Sequence, residues 1–247
     1  MKYSALSIAL VALLFGSVTA RAQKKVLNRL EACAVVLKEV LGAPDQGIPQ
    51  ELLDRAECVG VFPSTKKIAI GFGISYGRGA FVCRKNNGRG PWGPPAMYGL
   101  GGPGIGFQLG GRSADFVLLI MNPRGMQSLL KSKFKLGADM SAAAGPKGRT
   151  LEAATDATMR AEILTYSRTR GLFAGVSLEG NVLKQDDKAN RKLYGRKIKA
   201  TDILLNANVS TPAAGQQLVQ LLRKYSPKNI SDVSELRRPD VASSAAR

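Results

Sequence analysis

Glycine-rich stretches inside strand-like sequence are the feature that most restricts how this chain can fold. The longest is residues 171–180, and residues 71–77 and 104–110 repeat the pattern of glycine among apolar and aromatic residues. A glycine inside a strand has no side chain to pack, so it marks a bulge, a bend or the close approach of another backbone. Three such strands predict a strongly curled sheet, closed toward a small barrel.

The periodicity of the other segments predicts helices around this sheet. Apolar residues recur at three- and four-residue spacing over residues 23–41, which predicts an amphipathic helix. Asp186 and Gly195 are suited to begin and end a second helix. The expected fold class is therefore α+β, a strongly curled, mainly antiparallel, barrel-like sheet flanked by helices.

Several local predictions can be compared directly with a structure. Trp92 lies in a proline- and glycine-rich loop and is expected to cover the barrel mouth. Residues 163–183 are expected to form one long strand or two strands that meet at a sharp bend. The other predictions are strands over 59–62, 68–76, 79–84, 97–109 and 113–121, a turn over 63–67, and a helix from Asn122 to about Phe134.

The two ends of the chain differ in composition from its middle. Residues 1–22 have Lys2, an apolar core and Ala20-Arg21-Ala22, which predicts a signal peptide cleaved after Ala22; a buried N-terminal helix is the alternative. We therefore expect an exported protein of the periplasm or cell envelope. Residues 23–225 form the expected single domain, and residues 226–247 are polar enough to predict a disordered tail.

The charge balance indicates a polyanionic partner. The chain has 36 lysines and arginines against 18 acidic residues, a formal net charge of +18. Such an excess favours nucleic acid, anionic lipid or another polyanion, although a solvated basic surface without a specific ligand is an equally simple interpretation. Aromatic residues are too scarce for the stacking that single-stranded nucleic acid requires, so we do not expect nucleic acid as the partner.

The residue types present argue against an enzyme. No histidine occurs, which excludes Ser-His-Asp and Cys-His nucleophile systems and most zinc sites. Cys33, Cys58 and Cys83 form no Cys-x-x-Cys pair, so we expect no metal, and Cys58 with Cys83 is the favoured pair if a disulfide forms. The glycine spacing does not match a dinucleotide- or phosphate-binding loop. We predict no cofactor; a histidine-free enzyme that uses Ser, Lys or Asp is a minor alternative.

Two acidic residues, Asp115 and Glu179, occur singly in strands that are otherwise mostly apolar. Asp115 and Glu179 are expected to accept hydrogen bonds from backbone donors or to pair with Arg112 or Arg170. Without a second carboxylate beside them, they do not predict acid–base catalysis.

The basic residues are the candidate binding site. The wide apolar stripe of residues 24–41 either packs on the core or lies on an anionic bilayer, and the sequence leaves both open. In either arrangement the expected electrostatic contacts to lipid include the helix cations. The candidates are Lys24, Lys25, Arg29 and Lys38 on the helix, Lys66 and Lys67 on a turn, and Lys131, Lys133 and Lys135 farther along.

A series of collinear motifs resembles one known family. The most specific is Gly171-Leu172-Phe173-Ala174-Gly175-Val176-Ser177-Leu178-Glu179-Gly180. The others, in chain order, are residues 71–77, 104–106, 115–117, 142–146, 166–167 and 190–195. Together they resemble the SYLF domain over about residues 25–225.

That resemblance implies a non-enzymatic domain that binds phosphoinositides or other anionic lipids, in part through an N-terminal amphipathic helix, here residues 24–41. Eukaryotic members of the family are cytosolic and also bind and bundle actin. Because an export signal is predicted here, anionic phospholipid is the expected ligand. The alternative is an envelope structural or protein-interaction module without a lipid ligand, since sheet geometry alone explains every glycine motif. The oligomeric state is left open.

Overall fold

A computed structural model describes residues 23–42, 47–70, 72–86, 88, 90–104, 110–146, 160–169, 172–206 and 209–230. The predicted signal peptide, residues 1–22, and residues 231–247 of the predicted tail lie outside this range. The strands are β1 Cys58–Ile70, β2 Phe72–Cys83, β3 Ala96–Gly104, β4 Gly110–Ile120, β5 Lys133–Lys135, β6 Ala142–Ala144, β7 Ile163–Thr169, β8 Leu172–Gly175 and β9 Val182–Gln185.

The helices lie before, between and after these strands. They are α1 over residues 23–41, α2 Gln50–Arg55, α3 Pro123–Leu129, α4 Asp187–Tyr194, a short π-helix Asp202–Asn206, and α5 Ala213–Tyr225. Asp186 accepts a hydrogen bond from the Ala189 N–H at 3.0 Å, and Gly195 ends α4 with a left-handed φ of 69°. Both predicted ends of this helix are therefore confirmed.

The described strands form one sheet in the order β5-β9-β3-β2-β1-β4-β7-β6, with β8 also paired to β7. All pairs are antiparallel except the parallel pair β6–β7. The sheet curls into a half-barrel with helices around it, so the predicted α+β class is confirmed. Within the segment 163–183, β7 and β8 form an antiparallel pair, as one of the two expected arrangements required, but strand structure ends at Gly175 and resumes only in β9 at Val182.

The sheet has a hydrophobic core on each of its two faces. Successive residues of a strand point to opposite sides, so Val61 packs in one core and Phe62 in the other. Helices α1, α2, α4 and α5 cover the first side, which we call the α1 face, and α3 and the π-helix contribute to the core on the opposite face. This two-sided packing explains why β4 carries the unbroken apolar run Phe116–Ile120.

Helix α1 is docked on the sheet by its apolar stripe. The buried residues of the stripe are Val26, Leu30, Cys33, Ala34, Val36, Leu37 and Val40. The Cys33 thiol donates a hydrogen bond to the Val61 carbonyl at 3.3 Å, while Arg29 contacts Asp186 and Glu39 contacts Arg168. The helix therefore crosses the sheet from the end of β9 to β7, and of the two arrangements that the sequence left open, the structure has the packed one.

Three local predictions are wrong because tertiary pairing overrides local turn, strand and helix signals. The predicted turn at residues 63–67 is a bulge within β1, where Ser64 has a φ of 48° and its N–H donates to Asp115 at 2.8 Å. The strand predicted over residues 68–76 is accordingly split between β1 and β2. The helix expected to reach Phe134 ends at Leu129, because Lys133–Lys135 pairs with β9 and buries only Phe134.

Covalent and polar contacts join the segments around the start of β1 and the end of β2. Cys58 and Cys83, paired on β1 and β2, form a disulfide as the sequence favoured. Trp92 is not at a barrel mouth but completely buried on the α1 face, where its N–H donates to the Ser226 carbonyl at 2.8 Å. The Ile230 N–H donates to the Asp54 carbonyl at 3.1 Å, so the segment that follows α5 contacts α2.

Candidate functional site

Part of the α1 face is not covered by any described helix. Along β2, Ile74, Tyr76 and Arg78 are exposed, whereas Ser75 and Gly77 between them are buried on the opposite face. The exposed fractions of Ile74 and Tyr76 are 64% and 51%, which is unusual for apolar side chains on a central strand. Strands β1 and β2 thus extend beyond the helices and present one bare side.

Strand register brings cations from distant segments onto this bare side. Lys66 on β1 lies directly opposite Tyr76. Arg78 is opposite Gly99 on β3, Gly99 is opposite Lys184 on β9, and Lys184 is opposite Lys133 on β5. We call this surface the open face: Lys66, Ile74, Tyr76, Arg78, Gly99, Gly101, Pro103, Ser113, Lys133, Lys135, Val182 and Lys184.

All charged side chains of the open face are positive. It contains five basic residues, and none of its members is acidic. Asp115, which borders it on β4, is engaged by Arg168 at 2.9 Å and by the Ser64 N–H. The predicted backbone donor to Asp115 is confirmed in the Ser64 N–H; the described ion pair is with Arg168, and the side chains of Arg112 and Arg170 lie outside the described residues. Arg168 is shared between Asp115 and Glu39, so both described carboxylates at this border are held in ion pairs.

Of the four basic residues proposed as contacts on α1, three are exposed and one is in an ion pair. Lys24, Lys25 and Lys38 are exposed on the side of α1 that points away from the sheet. Arg29 is 3.3 Å from Asp186, with only 14% of its side chain accessible. Arg29 therefore has a structural partner, and the three lysines are the residues of α1 that an external anion can reach.

The remaining candidates are divided between the sheet and a loop. Lys66, Lys133 and Lys135 belong to the open face, whereas Lys131 is exposed in the loop between α3 and β5. Lys67 follows Lys66 on β1, and its side chain lies outside the described part of the structure.

Of the twelve residues of the open face, the sequence candidates included only Lys66, Lys133 and Lys135. Among the nine that sequence reasoning missed are Ile74, Tyr76, Arg78 and Lys184. A signal was present on β2, where exposed side chains alternate with serine and glycine at the two-residue period of a half-buried strand. Lys184 carried no such signal, because its position depends on the pairing of β9 with β3.

The buried ionisable groups serve packing. Burial raises the pKa of the Cys33 thiol to about 12, so the nucleophilic thiolate is absent at neutral pH. Burial also raises the pKa of Tyr98, whose hydroxyl donates to the Leu129 carbonyl at 2.9 Å. Neither group belongs to the open face, whose side chains are basic, apolar or hydroxyl-bearing and are suited to binding.

Two further observations concern only the described residues. No three histidine, cysteine, aspartate or glutamate side chains come together there in a group that could hold a metal ion. None of the helices in that part of the chain combines the length and apolar character needed to cross a bilayer.

Comparison with known proteins matches residues 101–225 to a family described as Ysc84, Las17-binding protein actin regulator. SH3 domain-containing YSC84-like protein 1 of Homo sapiens is 34% identical over 188 residues, which cover 75% of this chain and 53% of that protein. LAS seventeen-binding protein 3 of Saccharomyces cerevisiae is 32% identical over 216 residues, which cover 85% of this chain and 46% of that protein. The chain thus spans about half the length of these curated relatives.

Proposed function

The chain belongs to the SYLF family, also described as Ysc84, and we propose that it is a non-enzymatic module that binds anionic phospholipid surfaces through its basic residues. The family description names an actin regulator, and related proteins carry names that refer to binding. Anionic lipid, including phosphoinositide-type headgroups, is the ligand that the SYLF resemblance implies. An anionic ligand is consistent with the formal net charge of +18 of this chain.

The observation that carries this function is the convergence of Lys66, Arg78, Lys133, Lys135 and Lys184 on one uncovered side of the sheet. Each basic residue near an anionic bilayer contributes about 1 kcal/mol, so five give on the order of 5 kcal/mol before screening. Salt reduces this attraction because exposed charges are screened within about 10 Å at 0.1 M. Binding of this kind is reversible and depends strongly on salt.

Export to the periplasm or cell envelope is part of the same proposal. A disulfide between Cys58 and Cys83 is typical of an oxidising compartment, which supports the predicted removal of residues 1–22. Mass spectrometry of the protein from its native cells is expected to give an N-terminus at Gln23. A chain that begins at Met1 would contradict export by this route.

Vesicle co-sedimentation tests the lipid ligand. The protein is mixed with vesicles of phosphatidylglycerol or of phosphatidylcholine, at low and at high salt, and the pelleted fraction is measured. We expect pelleting with phosphatidylglycerol at low salt, a marked decrease at high salt, and little with phosphatidylcholine. Equal pelleting with both lipids, or none with either, would end the proposal.

A protein partner is the second candidate function. It is favoured by the name of the yeast relative, which describes a protein that binds LAS seventeen. Chemical cross-linking in the native envelope that captures one defined protein, together with no binding to either vesicle type, would favour this candidate over lipid.

A further inference from the structure

We infer that the open face, rather than helix α1, is the surface that contacts the bilayer, with Tyr76 and Ile74 at the lipid interface and the surrounding cations on headgroup phosphates. This inference rests on the proposed function, and it names the site that the function uses. It also replaces the helix cations with residues on β1, β2, β5 and β9 as the principal contacts.

Helix α1 is a poor bilayer anchor because its apolar side is already occupied. Leu30, Cys33 and Leu37 are completely buried against the sheet. Inserting that stripe into lipid would separate the helix from the sheet and leave the apolar core beneath it exposed to water, which is unfavourable. Arg29 of the helix is already paired with Asp186, so its charge is not available to a headgroup phosphate.

The open face has the mixture of groups that a membrane interface favours. Tyr76 is half exposed, and the Arg78 guanidinium lies 5.5 Å from the centre of its ring and donates to its hydroxyl. Ile74 is the next outward residue on the same strand and is 64% exposed. Tyrosine is enriched at headgroup depth, where one end of the ring is apolar and the other hydrated. An acidic peptide would need the cations but not these exposed apolar groups.

Glycines keep the middle of the open face flat. Gly99 and Gly101 lie on β3 between Arg78 and Tyr76 on one side and Lys184 and Val182 on the other. A Cβ added at Gly99 would have no neighbour nearer than 3.9 Å, and one at Gly101 none nearer than 3.6 Å, so packing does not require glycine there. Their effect is a bare backbone strip about 10 Å wide, two strand spacings, between two rows of side chains.

Matched charge variants separate the open face from α1. Lys66→Gln/Arg78→Gln/Lys184→Gln removes three charges from the open face, and Lys24→Gln/Lys25→Gln/Lys38→Gln removes three exposed charges from α1. From about 1 kcal/mol per cation, the first variant is expected to bind phosphatidylglycerol vesicles about 100-fold more weakly at low salt. The α1 variant should change binding by less than about tenfold, because its three lysines lie outside the open face.

The outcomes distinguish this inference from the proposed function. If the wild-type protein fails to bind vesicles, the function itself is contradicted. If the wild-type protein binds but the α1 variant loses as much affinity as the open-face variant, or more, the function stands and the inference is wrong.

A fluorescent reporter tests the orientation independently of charge. Trp92, the single tryptophan, is buried, so a second indole added by Tyr76→Trp reports its own surroundings. Its emission is expected to shift to the blue when phosphatidylglycerol vesicles are added. Leu172→Trp is the control, because Leu172 is 67% exposed on β8 and outside the open face.

A shift in the Leu172→Trp variant alone would overturn the inference. Binding of soluble polyglutamate together with no shift of the Tyr76→Trp variant on vesicles would also overturn it, and would identify the open face as a site for an acidic protein segment.

Discussion

Arg84 is a buried cation that ties three segments of the chain together. Its guanidinium donates to the carbonyls of Ala56, Ser226 and Lys228, and lies 4.3 Å from the centre of the Trp92 ring. Burial lowers the pKa of Arg84 to about 10, so the side chain remains charged at neutral pH. These contacts explain why residues 226–230 are docked although they are polar.

Arg84→Met is expected to destabilise the protein by about 3–5 kcal/mol, because several buried carbonyls lose a charged donor. Urea denaturation measures the change in the free energy of unfolding. Arg78→Met on the preceding strand, β2, is the matched control, since Arg78 is exposed and its loss should cost within about 0.5 kcal/mol. Similar unfolding midpoints for the two variants would show that Arg84 does not hold the C-terminal segment.

At the scale of elements, glycine allows backbones to approach where strands and loops cross. A Cβ at Gly145 would lie 2.0 Å from the Tyr166 ring, and one at Gly175 would lie 1.9 Å from the Gly145 carbonyl oxygen. The loop after β6 and the end of β8 therefore touch through backbone alone. This is the close approach that the glycine-rich sequence predicted.

Gly145→Ala is expected to cost about 1–3 kcal/mol in the free energy of unfolding, or more, because neither the stacked Tyr166–Phe173 pair nor the β8 backbone has room to move. Gly99→Ala is the control, since its added methyl group meets no atom closer than 3.9 Å. Chemical denaturation of both variants compares them. A Gly145 variant as stable as the Gly99 variant would refute the packing argument.

At the scale of the whole molecule, the disulfide between Cys58 and Cys83 joins the start of β1 to the end of β2. Cys58 and Cys83 are 25 residues apart, and their bond restricts the unfolded chain as well as joining β1 to β2. For a loop of this length the expected stabilisation is about 2–4 kcal/mol.

The double variant Cys58→Ala/Cys83→Ala is therefore expected to unfold at a lower urea concentration than the wild-type protein. Adding a reductant to the wild-type protein should reduce its free energy of unfolding by the same amount. The double variant itself should not respond to reductant, because the remaining Cys33 is a buried free thiol. A wild-type unfolding curve that reductant leaves unchanged would contradict this assignment.

Local sequence patterns determined much of the fold. Alternation and glycine spacing predicted a curled sheet, the apolar stripe predicted α1, and Asp186 with Gly195 predicted the ends of α4. These features depend on residues close together in the chain, where period and capping chemistry act directly. The bulge at Ser64 and the strand at Lys133–Lys135 were missed, because their partners, β4 and β9, are distant in sequence.

For the candidate site, the sequence by itself determined the excess of positive charge and several of the cations that carry it. Only the tertiary structure decided that Lys66, Arg78 and Lys184 share one side of the sheet, that Arg29 is paired, and that the stripe of α1 points inward. The physical reason is that a stripe has the same period whether it meets a core or a bilayer. Which side chains share a face depends on strand register, and register is set by contacts between distant segments.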